Sequence, residues 1–511
     1  MLFNSYEFVF LFLPITLIFF YLIGGQGHHR AAIAWLVGAS LFFYGWWNSA
    51  YLGLMLFSIL FNYSVGVLLS NTTKNLLLNK SILTVGVTIN LAVLGYYKYA
   101  NFFVDSLNAI GDFNLTFYEV ILPLAISFFT FQQIAYLVDA YRGKTKEYNF
   151  LHYCLFVTFF PQLIAGPIVH HKEMLPQFTK EIMFRLRSKD LAVGITIFAL
   201  GLFKKVVIAD GVSVYATPVF DAAEAGTVIT FFEAWIGAFA YTFQLYFDFS
   251  GYSDMAIGIA RMFGIRLPIN FNSPYKSTSI IDFWRKWHIT LSCFLRDYLY
   301  IPLGGNKKGK VRRYVNLMIT MILGGLWHGA GWTFVLWGAL HGCYLIVNHG
   351  WRSLFKNSKK LRIYRFFSWA ITFVAIVVAW VPFRAESFYG AQNILTGMIG
   401  LNGFSLPSVM LNNLNKIYGL GDYLLSVGII FNDMLYFKGQ TFIFLLFIVA
   451  VMMPNTQEIM RNYHPTLDAM EKKKVLLEWK PTPIWLNIII LMLVVSIYKM
   501  SKISEFLYFQ F

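Results

Sequence analysis

A histidine flanked by glycines lies inside an apolar stretch of the sequence. His328 occurs in LGGLWHGAGW, beside Gly324, Gly325, Gly329 and Gly331. Glycines allow close approach of a backbone or a ligand, and an apolar environment favours the neutral imidazole. A neutral imidazole in a membrane cavity can act as a general base towards a hydroxyl group. The alternative is a core histidine whose ring is satisfied by hydrogen bonds.

A second histidine lies in the segment DFWRKWHITLS. His288 follows Trp284 and Trp287 within two helical turns, with Arg285 and Lys286 between them. Tryptophan and basic residues are typical of the lipid–water interface, so the pattern predicts His288 at that depth. The alternative to a catalytic role there is a structural histidine held by hydrogen bonds.

Polar side chains interrupt the apolar run YTFQLYFDFSGYSDMAIGIARMFG. Ionisable groups at membrane depth are costly and are functional candidates by default. The candidates for a polar tunnel are Gln244, Asp248, Ser250 and Asp254. The Ser-Gly pair at 250–251 predicts a break between two half-helices. The alternative is structural: the two aspartates hold the fold by pairing with Arg261, Arg266 or Arg285.

Several catalytic and metal-binding patterns do not occur in the sequence. It has no G-x-S-x-G elbow, no H-E-x-x-H and no Walker A motif. Its three cysteines, Cys154, Cys293 and Cys343, follow no metal or disulfide spacing. We therefore predict neither thiol catalysis nor a bound metal, and we expect His341 to pack rather than to support His328.

The composition shows what surrounds these residues. Hydrophobic residues make up 58% of the 511 residues and charged residues 13%, against about 25% charged in an average soluble protein. The mean hydropathy is +0.58. Lipid must therefore be the solvent, which excludes a soluble enzyme, a nucleic-acid binder and a disordered chain. The net charge of +16 suits anionic headgroups and membrane topology.

Apolar runs of near-spanning length recur along the whole chain. We predict an all-α polytopic integral membrane protein with roughly 11–14 membrane-embedded helices, some of them half-helices. The first run reads as a retained span rather than a removed signal peptide, and another run covers 424–436. The chain forms a single transmembrane domain over 1–511, which is densest in motifs at 241–350 and ends in an aromatic tail at 501–511.

Basic stretches at 172–189, 307–313 and 352–365 separate these runs. By the positive-inside rule they favour the cytoplasm. A sharper hypothesis is that some of them bind the phosphates of a cytosolic donor such as coenzyme A.

An ordered set of motifs covers nearly the whole chain. It includes GYYKYANFFVDSLN, LPLAISFFTFQQIAYLVDAYRG, FFPQLIAGPI, QLYFDFSGYSDMAIG, DFWRKWHITLS, RDYLYIPLGGN and LGGLWHG. This set resembles the membrane-bound O-acyltransferase (MBOAT) superfamily. Within it the chain is similar to the branch of the alginate O-acetylation membrane subunit, which also includes peptidoglycan and cellulose acetylation subunits. The teichoic-acid D-alanylation subunit is a more distant cousin.

The resemblance implies a fold, a site and a reaction. The fold would be a ring of tilted helices around a funnel or tunnel, in the bacterial inner (cytoplasmic) membrane. The essential histidine of the superfamily maps to His328, and the second histidine maps to His288. An acetyl group from cytosolic acetyl-CoA would cross the membrane to a separate SGNH-type partner, which esterifies an exported polysaccharide. Candidates for binding the donor phosphates are Arg285, Lys286 and Arg296.

The C-terminal FLYFQF resembles the aromatic end of the small D-alanylation companion peptide, in which a tyrosine is thought to carry the acyl group. Tyr508 is therefore a candidate acyl relay, with His328 as its base. A phenol ester is more reactive than a sugar ester because the phenol, with a pKa of about 10, is a weak base as a leaving group. The alternative is that the tail is an interfacial aromatic anchor.

Three other functions remain open at this point. A transporter or flippase of a lipid-linked or acylated sugar would also need intramembrane charges and broken helices. A lipid or protein acyltransferase of the same superfamily would need a lateral opening towards lipid. A structural subunit with a degenerate site is the third. The polymer itself, whether alginate, cellulose, peptidoglycan or another glycan, is not fixed by the sequence.

Overall fold

The computed structural model of the chain describes residues 1–71, 75–111, 113–145, 149–355, 362–432, 439–468, 477–500 and 507. Helices dominate this part of the chain, and the regular strands described in it are two short segments. The prediction of an all-α polytopic membrane protein is therefore confirmed.

Six α-helices form the N-terminal part. They are α1 (Leu13–Gly25), α2 (His29–Gly45), α3 (Tyr51–Asn71), α4 (Leu76–Leu94), α5 (Ala100–Ile110) and α6 (Ile126–Tyr141). A π-helical turn at Phe8–Phe12 leads into α1, and another at Gly95–Tyr99 joins α4 to α5. A single-turn widening of this kind shifts which side chains face inwards, and it frequently occurs at functional sites.

The central part contains the longest helix. Its helices are α7 (Phe150–Thr158), α8 (Phe160–Leu163), α9 (His171–Phe178), α10 (Ser188–Phe203), α11 (Asp210–Glu224), α12 (Phe231–Met262), α13 (Ile280–Trp284) and α14 (Ile289–Leu295). A π-helical segment at Lys204–Ala209 connects α10 to α11, so these two helices form one continuous rod.

The C-terminal part begins with a helical hairpin. Its helices are α15 (Gly309–His328), α16 (Trp332–Leu354), α17 (Arg362–Arg384), α18 (Phe388–Met398), α19 (Ser408–Asn415), α20 (Leu420–Ser426), α21 (Gln440–Met452), α22 (Thr456–Ile459) and α23 (Pro483–Lys499). Strands β1 (Ser405–Pro407) and β2 (Ile430–Asn432) pair in parallel, with Leu406 opposite Phe431. The predicted apolar run at 424–436 is therefore wrong as a membrane segment over its described part, which is the end of α20, a turn and β2.

Five helical stretches in the described residues are long and apolar enough to cross a membrane. They are Phe8–Gly25, Tyr51–Asn71, Leu76–Ile110, Ser188–Glu224 and Ile363–Arg384. Two shorter apolar helices, Gln440–Met452 and Pro483–Lys499, add to them. Large apolar side chains such as Leu22, Leu77 and Leu491 are exposed on these helices, as expected where the surrounding solvent is lipid.

The helix α12 runs without a break through the polar stretch. It spans 32 residues, so the predicted break at the Ser-Gly pair is wrong. A Cβ atom at Gly251 would lie 2.8 Å from the carbonyl oxygen of Gly201, and one at Gly258 would lie 2.7 Å from that of Gly194. The glycines therefore let α10 and α12 pack backbone to backbone, as small residues do between membrane helices.

Two irregular segments lie inside the protein. Residues 164–169, which follow α8, are all buried, and the main-chain N–H of Ile168 donates to the hydroxyl of Thr290 at 3.0 Å. The second segment is residues 265–273, after α12. There the main-chain carbonyl of Asn270 accepts a hydrogen bond from the N–H of Ile289 at 2.9 Å. Non-helical backbone at membrane depth is tolerated where protein covers it, and these segments carry part of the site.

Candidate functional site

The helical hairpin of α15 and α16 positions His328 at the last residue of α15. A Cβ at Gly325 would lie 2.2 Å from the carbonyl oxygen of Phe334, and a Cβ at Gly338 would lie 2.4 Å from that of Met321. These glycines are needed because the two helices touch at the backbone. The glycines around His328 therefore serve helix packing, where the sequence had offered either backbone or ligand contact.

A buried lysine from another part of the chain caps the C-terminus of α15. Lys98, in the π-helical turn between α4 and α5, donates from Nζ to the carbonyl oxygens of Trp327 at 2.5 Å and His328 at 3.1 Å. The hydroxyl of Tyr99 donates to the carbonyl of Leu326 at 2.7 Å. A cation at a helix C-terminus compensates its partial negative charge and satisfies carbonyls that lack helical partners.

His288 is held by a left-handed backbone turn between α13 and α14. Its φ is 41°, and its Nδ1 lies 3.0 Å from the side-chain oxygen of Asn270. That oxygen also accepts from the hydroxyl of Thr290 at 3.0 Å, while the Asn270 amide nitrogen lies 3.3 Å from the hydroxyl of Ser253. With this amide orientation Nδ1 carries the proton, so Nε2 is the basic nitrogen of a neutral ring.

The two histidines lie next to each other in an aromatic enclosure. The ring centroids of His288 and His328 are 6.3 Å apart. His328 also contacts Trp337 at 5.1 Å and Phe383 at 5.2 Å, while His288 contacts Phe249 at 4.8 Å. His288 is fully buried, because the chain reverses after α13 and turns the ring inwards; its depth at the lipid–water interface stays a prediction.

His341 packs one turn beyond this pair. It is fully buried, and its ring lies 4.8 Å from Trp337 and 5.1 Å from Trp284 between centroids. Among the residues that the structure describes, its two ring nitrogens have no hydrogen-bond partner. Trp337 separates His341 from His328, in agreement with the expected packing role.

A cavity of about 100 Å³ opens beside His328. Lys98 and Ser127 line it together with Trp327, the segment 122–128 and residues 164–165. Its rim includes Trp47 and Leu122, whose exposed fractions are 52% and 37%. His328 therefore borders a space that reaches the molecular surface, although the residue itself is only 4% exposed.

The predicted tunnel aspartates form ion pairs elsewhere. Asp248 pairs with Lys205 at 2.7 Å, and Lys205 also pairs with Asp210 at 2.8 Å. Asp254 pairs with Lys204 at 2.6 Å. The structural alternative was right in kind, but the partners it named were wrong. The cations come from the π-helical segment beside α12, which the spacing of α12 alone does not reveal.

The other predicted tunnel residues, Gln244 and Ser250, are buried on α12. The Gln244 side-chain oxygen and the Ser250 hydroxyl have no hydrogen-bond partner in the described part of the chain. The contacts recorded between α12 and His288 run through Phe249, and through Ser253 by way of Asn270. The structure thus links α12 to the histidines by residues that sequence reasoning did not select.

The candidates for donor phosphates lie nearer the surface. Arg285 is exposed, Lys286 pairs with Asp282 at 2.8 Å, and Arg296 pairs with Asp297 at 2.7 Å. Their role stays a prediction.

Tyr508 lies outside the described residues. Its neighbour Leu507 is buried, and its N–H lies 3.2 Å from a carboxylate oxygen of Asp248. In the described ranges, no group of three His, Cys, Asp or Glu residues could hold a metal ion.

Sequence reasoning missed three residues of the site. Lys98 was detectable, because a lysine inside an apolar span is a functional candidate by the same rule that selected the aspartates. Asn270 and Ser127 give no local signal. They reach the site because irregular segments, and the start of α6, fold back into the protein.

Comparison with known proteins agrees with this architecture. The membrane-bound O-acyltransferase (MBOAT) family matches residues 140–389. The chain is 47% identical to the peptidoglycan O-acetyltransferase of Helicobacter pylori over 438 residues, covering 80% of this chain and 81% of that protein. It is 41% identical to the "Probable alginate O-acetylase AlgI" of Pseudomonas putida, covering all of both chains. The teichoic acid D-alanyltransferase of Streptococcus thermophilus is 30% identical over 46% of this chain and 60% of its own length. The predicted family is confirmed: the chain belongs to the membrane-bound O-acyltransferases and is an O-acyltransferase enzyme of a multi-pass membrane type.

Proposed function

We propose that this enzyme transfers an acetyl group from cytosolic acetyl-CoA across the bacterial inner membrane for O-acetylation of an exported polysaccharide. The observation that carries the proposal is the His328–His288 pair, whose ring centroids are 6.3 Å apart, beside a cavity that reaches the surface. The names of the acetylating relatives support a polysaccharide acceptor. Membership of an acyltransferase family favours an enzyme over the transporter or flippase alternative.

His328 is the proposed general base. Its imidazole takes the proton of the acceptor hydroxyl, which attacks the thioester carbonyl. General-base assistance is worth about 10²–10⁴-fold in rate. His288 is the proposed orienting residue. The hydrogen bond from its Nδ1 to Asn270 leaves Nε2 without a proton, so Nε2 can accept a hydrogen bond from the acceptor hydroxyl and orient it.

The size of the cavity supports a short acyl group. An engineered protein cavity of about 150 Å³ binds benzene, and the cavity beside His328 has about 100 Å³. Such a space can hold the few heavy atoms of an acetyl group. The names of the acetylating relatives favour acetyl transfer over the lipid or protein acylation alternative.

The orientation supports delivery to the outer side. The basic stretch at 307–313 covers the start of α15, and that at 352–365 begins in the last turn of α16, so the positive-inside rule assigns these two helix ends to the cytoplasm. The helix α15 has 20 residues, which corresponds to about 30 Å along its axis. His328 lies at the other end of this helix, away from the cytoplasmic end. On the outer side, the acyl group would pass to an SGNH-type partner. The proposed reaction uses no nucleic acid.

The test compares two buried histidines in reconstituted vesicles. With acetyl-CoA on the cytoplasmic side, we expect His328→Gln to reduce the rate at which the labelled acetyl group leaves acetyl-CoA by about 10²–10⁴-fold. His341→Gln, the matched control in the same aromatic enclosure, should keep most activity. Palmitoyl-CoA should not serve as a donor. Full transfer by His328→Gln at normal protein level would refute the assignment, and use of palmitoyl-CoA would refute the acetyl donor.

The C-terminal relay needs its own experiment. The described residue Leu507 is buried, and its N–H lies 3.2 Å from a carboxylate oxygen of Asp248, which favours the relay over the interfacial anchor. We expect Tyr508→Phe to abolish polymer acetylation in cells at normal protein level, because the variant lacks the hydroxyl that would accept the acetyl group from the donor. Normal acetylation by that variant would end the relay proposal. Co-purification of an SGNH-domain protein checks the partner.

A further inference from the structure

The start of helix α6 faces the cavity beside His328. Residues 126–128 line that cavity, and Ala125 precedes them with a left-handed φ of 61°. The loop is fixed by the hydroxyl of Tyr44, which donates to the carbonyl of Leu124 at 3.0 Å. The first turn of a 16-residue helix presents N–H groups that have no helical partner and favour negative charge.

Ser127 carries hydrogen-bond donors that the protein does not use. It is 92% buried, since its exposed fraction is 8%, and it lines the cavity. The N–H of Ile126 is bound to the carbonyl of Pro123, and those of Phe128 and Phe129 are bound to that of Ala125. Neither the N–H nor the hydroxyl of Ser127 makes a hydrogen bond with any residue that the structure describes. Both are therefore available to a ligand.

Lys98 supplies positive charge to the same space. Its ammonium donates to the carbonyls of Trp327 and His328, and a lysine ammonium has three N–H donors. One donor therefore remains for the cavity, which Lys98 also lines. His328, the Lys98 ammonium and two unused donors of Ser127 thus belong to the lining of one small volume.

We propose that Ser127 and Lys98 form the oxyanion site of the acyl transfer, opposite His328 and at the N-terminus of α6. The ligand is the carbonyl oxygen of a short acyl thioester. This proposal rests on the proposed function and adds the residues that bind the charge formed in the reaction. Preorganised donors of this kind stabilise the transition state because they need no reorganisation as charge develops.

The step balances with the groups named. His328 takes the proton from the acceptor hydroxyl as its oxygen forms a bond to the thioester carbonyl carbon. The C=O electron pair moves to oxygen, where Ser127 and Lys98 stabilise the negative charge. Collapse of this intermediate restores C=O and breaks the C–S bond. The proton held by His328 goes to the leaving thiolate, so the products are an O-acyl ester and free coenzyme A.

The test uses Ser127→Ala in the purified full-length enzyme. Loss of one oxyanion donor costs about 10²–10³-fold in kcat. The KM for acetyl-CoA should change little, because the ground-state carbonyl is weakly charged. Inhibition by a trifluoromethyl ketone analogue of acetyl-CoA, which forms a tetrahedral adduct, should weaken together with kcat. Binding of coenzyme A alone should not change.

Two further variants complete the experiment. Ser58→Ala removes another buried serine hydroxyl, on α3, and serves as the matched control; it should keep the kcat and analogue affinity of the wild type. Lys98→Arg keeps the cation and should retain more activity than Lys98→Met. The proposal is overturned if Ser127→Ala keeps wild-type kcat, or if it loses affinity for coenzyme A as strongly as for the analogue. If the wild-type enzyme neither binds nor uses acetyl-CoA, the proposed function fails, and this inference fails with it.

Discussion

Two regions of this membrane protein compensate in different ways for the free energy cost of burying polar groups. Between the α10–α11 rod and α12, each of the three cations Lys204, Lys205 and Arg261 lies within 2.8 Å of a carboxylate. Beside α15, His288 contacts the amide of Asn270 and Lys98 contacts backbone carbonyls, and a cavity borders the group.

The difference separates structural from chemical use of polar groups inside a membrane. Opposite charges in contact neutralise each other, so the first region closes on itself and fixes two helices. In the second region, the remaining donors of Lys98 and Ser127 face a space that a ligand can enter. Burial alone therefore does not identify a site. The proposed site differs in having a cavity and donors left over after the internal hydrogen bonds are made.

The largest effect should come from breaking the closed region. Lys205 is 2% exposed and pairs with Asp248 and Asp210. Removing one partner of a buried ion pair costs about 3–5 kcal/mol. We expect Lys205→Met to lower the thermal unfolding temperature in detergent strongly, while the remaining folded enzyme keeps its KM for acetyl-CoA.

A double variant tests the same point in the opposite direction. Lys205→Met combined with Asp248→Leu removes both charges and should recover part of the stability, because an unpaired carboxylate is no longer buried. If Lys205→Met unfolds at the wild-type temperature and instead loses transfer, the ion pair belongs to the chemistry and the contrast between the regions is wrong.

A smaller effect should follow from crowding the backbone contact between α10 and α12. A Cβ at Gly201 would lie 2.6 Å from the carbonyl oxygen of Gly251, and overpacking of this kind typically costs about 1–3 kcal/mol. Gly201→Ala should therefore lower the unfolding temperature. The control is Gly38→Ala in α2, where nothing lies within 4 Å; there alanine should be neutral or stabilise the helix by up to about 1 kcal/mol. Equal behaviour of the two variants would contradict close packing.

Hydropathy predicted the class of this fold, and motif order selected His328 and His288, which the structure brings together. Their roles stay predictions, and the sequence did not show how the two rings are held. The continuity of α12 was not predictable from the local sequence, because a Ser-Gly pair weakens an isolated helix. In the protein, the backbone of α10 at Gly201 packs directly against Gly251. The inward turn at His288 was missed for a related reason: the tryptophans that mark an interface can equally form a core. Asn270 and Ser127 depend on long-range chain reversal, which no local pattern records.

The smallest predicted effect concerns how Asn270 orients His288. Its side-chain oxygen lies 3.0 Å from Nδ1 of His288 and accepts from Thr290. Without this acceptor, His288 can adopt the other tautomer, and Nε2 then carries a proton instead of a lone pair. A partner that fixes the orientation of a histidine is typically worth about 10–100-fold where the histidine is a metal ligand, and we expect the lower end here, because Thr290 and the aromatic rings still confine the ring. Asn270→Ala should therefore lower kcat about tenfold, and Asn270→Asp, which keeps an acceptor at the same position, should recover part of that loss.

Thr290→Val is the control for local packing, because it removes the hydroxyl that donates to the same Asn270 oxygen. Recovery by aspartate would show that the acceptor matters for the chemistry. Equal losses in all three variants would make Asn270 a packing residue and move His288 from the open region to the closed one.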